Sequence, residues 1–178
     1  MRFTPTGIDG VTRVEIDPHM DERGAFARLH CPEEFAAAGH PFVPAQTSLS
    51  RNSRALTLRG LHYEAAPHEE AKLVRVTRGR IFDVAVDLRS DSATYRRWTG
   101  AELSAENGVA LLIGPGLAHG FLTLEDDTDV LYQIDRIFEP GHGLGARWND
   151  PAFGVAWPAR PRVISERDAT YPDHAAAS

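Results

Sequence analysis

The chain has 178 residues, 42% of them apolar and 25% charged, a make-up that fits a globular domain and argues against disorder. Nineteen Lys and Arg against 25 Asp and Glu leave a net charge of −6, which argues against the basic face a nucleic-acid binder needs. Cys31 stands alone, so neither an internal disulfide nor a cysteine-built zinc site is expected, and the longest apolar run, at 109–113, is too short to cross a bilayer.

The first residues, Met1-Arg2-Phe3-Thr4-Pro5, carry no apolar core of a secretory signal. The expectation is one soluble, cytoplasmic domain over 1–178, with no membrane partner. Along the chain, segments rich in β-branched and aromatic residues predict strands at 11–16 and 25–30. A helix is predicted at 32–39, with Pro32 at its start, acids in its first turn and Gly39 at its end. Further strands are predicted at 56–64, 72–77 and 81–88, the last two joined as a hairpin around Gly79. Four more follow at 98–103, 109–113, 120–124 and 130–136. Residues 165–178 are polar and Ala-rich and read as a tail that packs on the surface or frays. The fold class is therefore mainly β: an antiparallel jelly roll or barrel with few short helices.

A small barrel is either filled by side chains or holds one ligand, so polar residues inside strand patterns carry the information. His62, Lys72 and Tyr132 each interrupt such a pattern. Histidine is the usual base near neutral pH, a lysine ammonium can face a developing oxyanion, and a phenol can donate a proton. Asp168 could orient a histidine, and Arg23 and Arg59 could pair with phosphates. Singly, each has an ordinary structural reading. Together they suit proton abstraction beside a carbonyl. No Gly-x-Ser-x-Gly elbow is present, and the glycines at 141–145 do not lead from a strand into a helix, so nucleophile and dinucleotide readings fail.

Seven ordered strings resemble the dTDP-4-dehydrorhamnose 3,5-epimerases of the cupin superfamily. They are Asp21-Glu22-Arg23-Gly24-Ala25-Phe26, Leu58-Arg59-Gly60-Leu61-His62-Tyr63, Lys72-Leu73-Val74-Arg75-Val76, Asp83-Val84-Ala85-Val86-Asp87-Leu88-Arg89, Ala118-His119-Gly120-Phe121, Asp150-Pro151 and Trp157-Pro158. The resemblance implies a cupin-type jelly roll, a homodimer and a site inside the barrel. It implies a nucleotide-sugar substrate, a 4-keto-6-deoxy hexose on thymidine diphosphate, inverted beside the ketone with no cofactor and no metal. By the same resemblance His62 is the base, Asp168 its paired carboxylate, Lys72 the enolate stabiliser and Tyr132 the acid on the opposite face. Arg23, Gln46, Ser48, Arg59, His119, Phe138 and Arg167 fall at substrate-contact positions.

Several residues depart from the family pattern: Arg28 for an acid, Ser48 for Asn, Gly143 for Glu, Phe138 for Tyr, Arg167 for Lys, and Glu64 and Glu70 for glutamines. Because they alter polar contacts around the nucleotide end, a carrier or sugar other than the rhamnose intermediate is one expectation. Inversion of C3 alone, as in deoxysugar pathways to natural products, is a rival within the fold. A metal-dependent cupin using His62, Glu64, Glu69 and His119 is a second rival, and a non-catalytic sugar-binding barrel a third.

Overall fold

The computed structural model describes residues 1–174, so 175–178 of the expected tail lie outside the described residues. Its strands are β1 (Arg2–Pro5), β2 (Val11–Glu15), β3 (His19–Asp21), β4 (Gly24–Phe26), β5 (Gln46–Asn52), β6 (Thr57–Glu64) and β7 (Lys72–Arg78). They continue with β8 (Arg80–Asp87), β9 (Trp98–Ser104), β10 (Val109–Ile113), β11 (Leu117–Thr123), β12 (Thr128–Ile134), β13 (Gly143–Gly145) and β14 (Val163–Ile164). The helices are α1 (Pro32–Ala37) and α2 (Glu166–Ala169). One sheet has the order β1-β2-β10-β7-β12-β5 and the other β13-β6-β11-β8-β9, with β14 parallel to β6. Strands β3 and β4 form a separate ribbon. The mainly β architecture with few short helices is the one the sequence predicts.

Alternation places the core. Along β7, Val74 and Val76 point between the sheets and meet Ile81 and Ala85 from β8, Leu103 from β9, Leu111 from β10 and Phe121 from β11. Their neighbours Leu73, Ala110 and Leu112 point outward and pack beneath Phe35 of α1 and Phe42. On the other sheet, Leu61, Val84, Val86 and Ala118 point outward beneath Ala146 and Phe153. The central strands are thus covered on both faces, which is why β10 and β11 are buried throughout.

Two expectations need correction. Gly79 does not close a hairpin, because β7 and β8 lie in different sheets. It is a corner, with φ +76°, where any side chain would collide with Thr128, and the chain passes there from one sheet to the other. The strand expected at 25–30 ends at Phe26, and β5 was not expected at all. That strand (QTSLSRN) is polar and mostly exposed, yet all seven of its residues pair with β12.

Candidate active site

The site begins with a close approach of two backbones. Gly60 of β6 has φ +133°, and a Cβ there would sit 2.5 Å from Cα of Gly120 on β11. Only glycine lets these strands meet so closely. The register between them shifts at this point and leaves His62 directly opposite His119. Leu61 packs in the outward cluster, so its neighbour His62 faces inward.

His62 meets a carboxylate from far along the chain. Its Nε2 donates to Asp168 Oδ1 at 2.8 Å, while Asp168 Oδ2 accepts the Gly60 N–H at 3.1 Å. Asp168 sits in α2, capped by the Ser165 hydroxyl, which accepts the Asp168 N–H at 3.0 Å. So the segment starting at 165 delivers a working-site candidate through its first turn. Burial pushes the Asp168 carboxyl upward, but the His62 hydrogen bond and charge, with those of Gly60 and Ser165, hold it below the usual carboxylate value. The His62 side chain is 45% exposed and that of Asp168 only 7%. With Nε2 held by Asp168, Nδ1 carries the lone pair. Tyr171 lies edge-on to His62 at 6.2 Å and occupies the space a side chain at Gly145 would need.

The opposing sheet supplies Tyr132 and Lys72, and strands β11 and β8 beside β6 supply His119 and Asp83. On β12, Val130 belongs to the inner core, and Tyr132, two residues on, packs against that core. Its ring lies 5.7 Å from that of His119, at 78°. Burial raises the Tyr132 phenol far above its ordinary value; Asp83 pushes the same way and Arg59 opposes it. The phenol is therefore an acid that keeps its proton through neutral pH. Lys72, at the start of β7, is buried with its ammonium 2.9 Å from Glu70. His119 Nε2 lies 2.7 Å from Asp83 Oδ1, and both are buried. Asp83 is the residue sequence reasoning missed. It interrupts the apolar pattern of β8 just as Tyr132 interrupts β12, and that signal could have found it.

The remaining candidates are placed unevenly. Arg59 donates its Nε to Asn52 at 2.8 Å, and Gln46 accepts the Phe138 N–H at 3.0 Å. Ser48 pairs with Tyr132 across β5 and β12, and Phe138 is 63% exposed. Arg167 donates to the Gly143 carbonyl at 3.0 Å and lies over the Tyr171 ring. The structure does not bring Arg23 to this group: it sits in the turn of the β3–β4 ribbon, exposed and paired with Asp21. Arg28 is paired with Glu34 at 2.6 Å. The set His62, Glu64, Glu69 and His119 is not a cluster of convergent ligand atoms among the described residues. Both of its imidazoles instead hold carboxylates through Nε2.

The model of the dTDP-4-dehydrorhamnose 3,5-epimerase family matches residues 5–176. The dTDP-4-dehydrorhamnose 3,5-epimerase of Sinorhizobium fredii is 41% identical over 173 residues, covering 97% of this chain and 89% of its own. The Bacillus anthracis enzyme of that name, solved with TDP and pyrophosphate bound, superposes with a TM-score of 0.94 at 34% identity, over 97% of this chain and 99% of that one. A 3'-monoepimerase from Streptomyces bikiniensis in complex with dTDP-quinovose gives 0.88 at 34% identity, over 95% and 86%. A chain matched over nearly its whole length by both sequence and fold belongs to the dTDP-4-dehydrorhamnose 3,5-epimerase family, a family of isomerases.

Proposed function

We propose that this chain, acting as a single domain, inverts carbon centres flanking the ketone of a dTDP-linked 4-keto-6-deoxy hexose. The observation that carries the reading is the placement of His62 on one sheet and Tyr132 on the facing one, both beside His119. Inversion requires a base on one face of a sugar ring and an acid on the other. His62 takes the proton next to the carbonyl on Nδ1, with Asp168 holding the ring and stabilising the imidazolium. The C–H electron pair moves into an enolate whose oxygen faces the Lys72 ammonium. Tyr132 returns a proton to the same carbon from the opposite face, and the enolate collapses to the ketone. The phenolate left on Tyr132 and the proton on His62 are reset through solvent. The reaction is redox-neutral, and no step in it calls for a cofactor.

Gln46, Ser48, Arg59, Phe138 and Arg167 are assigned to substrate contact, with exposed Phe138 offering a face for the base. Arg23 reaches a substrate only from the exposed ribbon, which fits a homodimer in which that ribbon meets a second copy. Met20 and Phe26 on the ribbon, 71% and 79% exposed, support such a contact. A lone free Cys31 suits a cytoplasmic location, and no helix among the described residues is long and apolar enough to cross a membrane.

Identity is 34% to both the Bacillus anthracis enzyme and the Streptomyces bikiniensis monoepimerase, so likeness alone does not choose between one inversion and two. Deuterium wash-in from D₂O, followed by NMR against a panel of nucleotide-linked 4-keto sugars, decides it. Label with inverted configuration at both C3 and C5 identifies a double inversion, label with inversion at C3 alone a single one, and label at neither overturns the reading. Titration with dTDP separately tests the carrier: binding as tight as that of a rhamnose-pathway enzyme contradicts an altered nucleotide end.

A further inference from the structure

Away from the reacting groups, three side chains converge at the rim of the barrel. His68 lies in the loop between β6 and β7, and Glu139 and His142 lie in the loop after β12. One ligand atom from each falls within 4.8 Å of the other two. His68 Nδ1 is 3.4 Å from Glu139 Oε2, and His142 Nε2 is 3.8 Å from the same oxygen. Around a tetrahedral zinc with ligands at about 2.0–2.1 Å, neighbouring ligand atoms stand about 3.3–3.4 Å apart. The two separations to Glu139 are thus near zinc spacing already.

The two loops are also held together independently of these side chains. Ala71 and Asp135 exchange backbone and carboxylate hydrogen bonds at 3.1 and 2.8 Å, and Arg136 donates to the Pro67 carbonyl at 2.7 Å. The last contact engages the one cation lining the cleft with Glu64, His68, Ile137 and Glu139. The imidazoles of His68 and His142 stack at 3.6 Å and 14°. Glu139 meets no lysine or arginine among the described residues; its ion-pair partners are these two rings.

We propose that His68, Glu139 and His142 form a site for a divalent late first-row transition ion, zinc above all, with water in the fourth position. Two imidazoles and one carboxylate are a borderline-hard donor set that suits zinc over magnesium or calcium. Binding requires the near-parallel rings to rotate apart so that both in-plane lone pairs reach the ion. Binding clips the loop preceding Lys72 to the loop carrying Phe138. The proposal is independent of the epimerase reading, because none of the three takes part in that chemistry.

The test uses the full, tag-free chain stripped with a chelator, titrated with zinc by calorimetry and with cobalt(II) by visible absorption. The expected result is one equivalent per chain, with cobalt bands of tetrahedral intensity. Glu139→Gln should weaken binding about tenfold or more, and His68→Ala combined with His142→Ala about a hundredfold or more. His62→Ala should bind as the parent does. No uptake by the parent chain, or parent-like affinity in Glu139→Gln and in the double variant, overturns the site.

Discussion

Two histidines in this barrel sit opposite each other on adjacent strands, each with Nε2 against an aspartate, at 2.8 Å for His62–Asp168 and 2.7 Å for His119–Asp83. The bonding is nearly the same; the surroundings are not. The His62 side chain is 45% exposed, whereas that of His119 is 5% exposed and Asp83 is fully enclosed. An imidazole that must take a proton from a substrate needs an open face. One sealed against a buried carboxylate fixes geometry and field instead. Asp83 illustrates the second role, since its charge helps keep the Tyr132 phenol protonated. On the proposed mechanism, exposure more than pairing separates the group that reacts from the group that positions.

The sharpest break in this comparison comes from His62→Ala. Loss of the base should slow deuterium wash-in by a factor on the order of 10²–10⁴, with dTDP affinity, read by calorimetry, left within about twofold. Stability should respond in the opposite pattern. His119→Ala leaves the buried Asp83 carboxyl without its partner, a loss of about 3–5 kcal/mol on urea denaturation. His62→Ala should lose under about 1 kcal/mol, because Asp168 keeps Gly60 and Ser165 and the site is open to water.

Removing the orienting carboxylate should have a smaller effect on rate. Asp168→Asn retains the shape but not the charge, and a fall of about 100-fold, the lower end of the range for a positioned base, is expected in the initial rate. The smallest effect is on acid stability. The Asp168 carboxyl is held below its unfolded value, so its contribution is fully present above about pH 4 and is lost as pH falls through the lower folded value. The stability gap between the parent and Asp168→Asn, followed by thermal melts, should therefore narrow as pH falls below about 4.

Much of this arrangement is legible in the chain before any coordinates. His62, Lys72 and Tyr132 declare themselves because each is polar where the strand period calls for an inward apolar residue. Asp83 sends the same signal within β8. Asp168 does not: it lies 106 positions from His62, and only a resemblance to known sequences joins them. Gly79 was misread because a hairpin and a corner between sheets ask the same of a glycine, namely a positive φ. Strand β5 escaped because an exposed edge strand needs no apolar face. The rim trio escaped too, since His68 and His142 meet only through the stitching of two loops by Ala71, Asp135 and Arg136.

The central claim is that base and acid act from opposite sides of one ring, and Tyr132→Phe tests it most directly. In D₂O this variant should still exchange the C3 hydrogen, because His62 can remove a proton and solvent can return deuterium on the same side. It should invert that carbon at most about a hundredth as fast as the parent. Inversion keeping pace with exchange in Tyr132→Phe would contradict the account.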